Sequence, residues 1–140
     1  MKMKLLLLST LVAVLPGLFA CTTRTATLEI TCDQFQVEQH FTWEVDVRPG
    51  DSVVVTLCSN PTTGFQWAES AQISDQTVLK QTDHEYEPAK DENIVGGTGK
   101  EVWTFKALDE GTATVSMEYS RPGEGDEERH WTFTATITVE

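Results

Sequence analysis

Apolar and polar residues alternate along most of this chain. Phe41, Trp43, Val45 and Val47 fall on one side of a run whose other side is Thr42, Glu44 and Asp46. Trp131, Phe133, Ala135, Ile137 and Val139 repeat the pattern against Thr132, Thr134, Thr136 and Thr138. A period of two sends alternate side chains to opposite faces of a strand, whereas on a helix it would wrap apolar groups around the axis. Residues 52–59, 65–69, 103–107 and 115–119 read as further strands. Arg48-Pro49-Gly50-Asp51 is a turn that makes residues 52–59 the hairpin partner of the strand before it, and Asp109-Glu110-Gly111 is another turn. Residues 71–85 are less regular, anchored by Val78 and Leu79, and no helical repeat stands out beyond residue 20. Short strands separated by Gly, Pro and Asp predict an all-β chain, an immunoglobulin-like β-sandwich of about seven or eight strands.

The first twenty residues follow a different rule. Lys2 and Lys4 precede an apolar run from Leu5, and Leu18-Phe19-Ala20-Cys21 follows it, the layout of a cleaved targeting segment. A spanning helix takes about 20 apolar residues, and Pro16-Gly17 interrupts this run first. The Leu-x-Ala-Cys ending resembles the bacterial lipobox, whose cysteine is lipidated and becomes the mature N-terminus; a plain secretory signal is the other reading. The expected division is a lipoprotein signal over 1–20, a polar tether over 21–27 and one domain over 28–140. Lipid on Cys21 would place the protein in the cell envelope, held to the membrane on its periplasmic or extracellular face.

Removal of 1–20 leaves 120 of the 140 residues, enough for a single packed core. Loss of Lys2 and Lys4 takes the formal charge from −12 to −14. That balance excludes nucleic acid and adsorption to anionic lipid as partners, and it suits a soluble monomer. His40, His84 and His130 are dispersed and fall in no metal or nucleophile pattern, so no catalytic residue, metal or cofactor is expected. Cys32 and Cys58 leave two readings open. As a disulfide they would close a loop of 27 residues, worth roughly 3.5 kcal/mol by chain entropy; otherwise they are two buried thiols.

Three connections carry the candidate chemistry. Asn60-Pro61-Thr62-Thr63-Gly64-Phe65 holds two threonines between a fixed φ at Pro61 and a permissive one at Gly64. Gly96-Gly97-Thr98-Gly99 bears almost no side chain, so its backbone can approach a partner closely. Arg121-Pro122 opens the connection between the last two strands. Each alone reads as a turn or a solvated loop.

Together the three resemble the chagasin family, exported inhibitors of papain-like cysteine peptidases. Its pattern is an Asn-Pro-Thr-Thr-Gly-aromatic loop, a glycine-rich loop entering a strand, and an Arg-Pro-Trp loop before the last strand. The match runs from about residue 42 to 139, with Gly123 where the family has tryptophan. The resemblance implies three loops side by side at one end of the sandwich, entering the peptidase cleft as a wedge. Thr62 would lie near the catalytic cysteine, Thr63 and Gly64 would shape the loop, and Gly97 to Gly99 would pair backbone along the cleft. Arg121 and Pro122 would cover the far side. With the family's tryptophan absent, Tyr119 and Trp131 are the alternative aromatic anchors, although Trp131 also suits the core. An immunoglobulin-like adhesion or envelope-assembly module is the competing reading, since fold alone fixes no function.

Overall fold

The computed structural model describes residues 21–90, 97–123 and 131–140. Among them nine strands build two facing sheets. One sheet has the order β1 (Thr25–Ile30), β3 (Ser52–Ser59), β7 (Gly99–Ala107), β6 (Leu79–Glu87). The other runs β2 (His40–Val47), β9 (Trp131–Val139), β8 (Gly111–Ser120), β4 (Gln66–Trp67), and β5 (Gln72–Ile73) also pairs with β8. This is the expected immunoglobulin-like sandwich. The alternation seen in the sequence is the burial pattern of the strands: in β9 every odd-numbered residue is buried and every even-numbered one is partly open. Trp103, Phe105, Phe133, Leu57 and Ile137 are fully enclosed between the sheets, each contributing about 1.5–3 kcal/mol by leaving water.

Three expectations are corrected. β2 and β3 are not a hairpin: β2 lies parallel to β9, while β3 lies between β1 and β7. The turn at 48–51 carries the chain across the core, so the apolar faces of the two strands oppose each other instead of lying side by side. Asp51 secures that crossing, its carboxylate accepting the backbone N–H of Arg24 (2.8 Å) and of Arg48 (2.9 Å). These two bonds hold the Asp51 carboxyl below the usual carboxylate range.

Residues 25–27, placed in the tether by their polarity, are instead the start of β1, because parallel pairing with β3 satisfies their backbone. The chain also contains a helix, α1 (Cys32–Val37). A reciprocal cap starts it: Gln34 N–H donates to the Thr31 hydroxyl (3.3 Å) and Thr31 N–H donates to Gln34 Oε1 (2.8 Å). Its one buried residue, Phe35, stacks on Trp131 at 4.7 Å between centroids and meets Phe41 edge-on at 5.0 Å. The open question about the cysteines is answered by proximity. Cys32 and Cys58 have Cα atoms 5.1 Å apart and are bridged, stapling α1 to the end of β3.

Strand register defines two poles. Ser59 at the end of β3 pairs with Gly99 at the start of β7, and Glu87 at the end of β6 pairs with Lys100. In the other sheet Ser120 pairs with Gln66, and Trp131 pairs with Tyr119. The connections leaving 59, 87 and 120 therefore emerge at the same end. Arg24, the 48–51 turn and the 108–110 turn lie at the other, where Ser52 N–H reaches Arg24 O and Gly50 N–H reaches Ala107 O.

Candidate functional site

The loop after β3 is a single 3-10 turn, Pro61–Thr63, closed by Gly64 at φ +83°. Its four residues 61–64 are exposed, yet their backbone is tightly specified. Tyr119 supplies the main lock: its hydroxyl accepts the Asn60 N–H (2.9 Å) and donates to the Asn60 carbonyl (3.2 Å). Tyr119 is itself buried, its ring stacked on Trp131 at 4.8 Å, so the loop is fixed to the core and not merely to the surface. Within the turn, the Thr62 hydroxyl donates to Asn60 Oδ1 (2.6 Å) and the Thr63 hydroxyl to Asn60 O (2.7 Å). Asn60 is thus the hub, which accounts for a side chain with both an amide and a short reach at that position.

The loop after β8 closes on this turn. The Arg121 guanidinium lies over the Phe65 ring, 4.6 Å from its centroid, and Phe65 in turn stacks on Tyr119 at 5.7 Å. Arg121 Nη2 also donates to Thr63 O at 3.5 Å. Pro122 follows, exposed.

The glycine-rich loop enters β7 beside the same turn. Gly96 lies outside the described residues; Gly97 and Thr98 lead to Gly99, which is buried. No larger residue fits at Gly99, since a Cβ there would stand 2.5 Å from the Glu87 carbonyl and 2.6 Å from the Tyr86 hydroxyl. Tyr86, read in sequence only as part of a polar stretch, is 44 % exposed at this pole with its ring against that glycine.

Beneath the loops is a polar brace. The Ser59 hydroxyl donates to Glu101 Oε1 (2.6 Å), and His84 Nε2 is 2.8 Å from Glu101 Oε2. Serine, glutamate and histidine are present, but the carboxylate stands between the other two, so the imidazole has no contact through which to activate the hydroxyl. The group ties β3, β6 and β7 together where the first two loops depart. His40 bonds the Thr132 hydroxyl instead (2.8 Å), and His130 lies outside the described residues.

All the described residues singled out in the three connections thus meet at one pole: Asn60 to Phe65, Gly97 to Gly99, and Arg121 with Pro122. Tyr119 and Trp131, the alternative anchors, are 2 % and 7 % exposed; each is enclosed by aromatic neighbours and neither can reach a partner.

The family model described as "Chagasin family peptidase inhibitor I42" matches residues 46–137. No curated protein matches the chain at a significant level. Among solved structures, the cysteine protease inhibitor EhICP2 from Entamoeba histolytica is 22% identical, with 83% of this chain and 97% of that one covered and a TM-score of 0.62. The Leishmania mexicana ICP is 28% identical over 74% of this chain and 92% of its own, TM-score 0.54. PbICP-C, solved in complex with falcipain-2, is 16% identical over 82% and 99%, TM-score 0.60.

Proposed function

The chain belongs to the chagasin family of peptidase inhibitors, and from that membership we propose that it reversibly inhibits papain-like cysteine peptidases by occluding their active-site cleft. The observation that carries this reading is the convergence of the three connections at one pole around a turn locked to the core. Family membership makes the chain an inhibitor and not an enzyme, and it disfavours the adhesion module. Two of the similar structures support a cysteine peptidase as the target: one is an inhibitor named for that class and another is bound to falcipain-2.

The geometry suits occlusion. Pro61 to Gly64 form a narrow exposed tip whose conformation is fixed before binding, so little further order is lost on association. A 3-10 turn is not an extended strand and does not offer a scissile bond to a nucleophile in near-attack geometry. Thr62 projects at the tip, towards the catalytic cysteine; Gly97 to Gly99 and Arg121 with Pro122 flank it along the cleft. Gly123 stands where the family has tryptophan. Its φ is +85°, a region costing an L-residue roughly 1–2 kcal/mol, so a tryptophan on this backbone would be strained. Titrating papain with chain 21–140 tests the proposal: activity should fall in proportion to added protein, and full activity at micromolar concentration would end it.

The anchor reading fits the same polarity. Cys21 is exposed and lies three residues before Arg24, at the pole opposite the loops. Lipid on Cys21 would leave the inhibitory tip facing away from the membrane, as a monomer on a short leash of residues 22–24. Intact mass of membrane-extracted protein should show acyl mass on Cys21, absent from a Cys21→Ser variant; an unmodified cysteine would contradict it.

A further inference from the structure

Helix α1 was not expected, precedes the residues matched by the family model, and takes no part in the wedge described above. It lies at the loop pole, bridged through Cys32 to Cys58, two residues before Asn60. Its last residue, Val37, is 90 % exposed, far more than any other large apolar side chain among the described residues. A single exposed valine means little. This one borders a shallow, open depression of about 380 Å³, with half-buried Phe41 beside it and Asp33, Gln34 and Glu38 around it. Neither Asp33 nor Glu38 is in an ion pair among the described residues.

We infer that α1 is a fourth contact of the inhibitory face, in which the depression receives a lysine or arginine side chain from the rim of the bound peptidase. This rests on the cleft-occlusion reading and names a further part of the same interface. An apolar surface edged by carboxylates suits a basic side chain, whose methylene stem packs on Val37 and Phe41 while its charge meets Asp33 or Glu38. The distances allow it. The helical rise puts Val37 about 7.5 Å from Cys32 along the axis, the bridged Cα atoms are 5.1 Å apart, and two residues to Asn60 add at most about 7 Å. Val37 is therefore at most roughly 20 Å from the first loop, against a radius of about 16 Å for a standard interface of about 800 Å² per partner, which puts α1 at the rim of the contact and not at its centre. The bridge and the buried Phe35 hold α1 in place before the partner arrives, so the contact carries little ordering cost.

The test compares parent, Val37→Arg and the double variant Asp33→Lys, Glu38→Lys as inhibitors of papain and of three further papain-like peptidases. Val37 is exposed and arginine is a better helix former than valine, so Val37→Arg should unfold at the parent's temperature. Against the peptidases the parent inhibits most tightly, each variant should dissociate on the order of tenfold faster, and the double variant should also lose part of the salt dependence of association. Unchanged dissociation for both variants, from peptidases that the parent inhibits, overturns the fourth contact and leaves the three-loop wedge standing. A parent that inhibits none of the four overturns both.

Discussion

Replacing Thr62 with arginine should raise the inhibition constant for papain by at least about 100-fold, some 2.7 kcal/mol, while leaving the melting temperature within a few degrees of the parent's. The two halves of that expectation have separate causes. Thr62 is exposed and its hydroxyl bonds the Asn60 side chain within the same turn, so the fold loses little. The locks that hold the loop to the core run instead through the Asn60 backbone and Tyr119, which the substitution does not touch. At the tip of a wedge, by contrast, a long charged side chain must either enter the catalytic centre or hold the inhibitor away from it. Circular dichroism and steady-state inhibition measured on one preparation check both halves. A variant that inhibits as well as the parent would remove Thr62 from the interface even though the family assignment survived.

The second large effect concerns the body and not the tip. Changing Cys32 and Cys58 together to serine should cost roughly 3.5 kcal/mol, from the 27-residue loop that the bridge closes in the unfolded chain. For a domain of this size that is a fall of roughly 10–20 °C in melting temperature. The same fall should appear when the parent is unfolded in the presence of a strong reductant. Inhibition at low temperature should change much less, because the Asn60 loop keeps its bonds to Tyr119. A melting temperature indifferent to reductant would show that α1 and β3 are held by packing around Phe35 alone.

Much of this could be read from the residues. Period-two alternation located β2, β3, β7, β8 and β9, because each buries one face and exposes the other. The pairing of β2 with β3 was misread for a definite reason: a four-residue turn marks a change of direction, and a hairpin and a crossing between sheets look alike in sequence. What separates them is Asp51, whose carboxylate accepts one N–H within the turn, from Arg48, and one from Arg24, a residue 27 positions away. Helix α1 escaped because six residues give less than two turns and no period can be seen. The signal that was available is the cap, Thr31 followed three positions later by Gln34. The cysteine pair could not be settled from spacing, since 26 positions of chain are compatible with any separation in space.

The site was legible in kind but not in construction. Proline, threonines and glycine announced a constrained tip; nothing in their order revealed that Asn60 is the hub or that a buried Tyr119 holds it. Tyr86 was hidden by its polar neighbours, yet its ring and the Glu87 carbonyl together explain why Gly99 cannot be larger. The proposed anchors Tyr119 and Trp131 failed because alternation alone puts both on the inward face: Tyr119 shares it with Val115 and Met117, and Trp131 with Phe133 and Ala135.

The account turns on a preformed turn that plugs a catalytic cleft without being cut. The most direct measurement follows papain activity against increasing chain 21–140 at several substrate concentrations, with the inhibitor recovered afterwards and weighed by mass spectrometry. One chain should silence one enzyme molecule, substrate should relieve the inhibition competitively, and the recovered chain should be intact after prolonged incubation. Inhibition that substrate does not relieve, or a chain cleaved between residues 60 and 65, would contradict it.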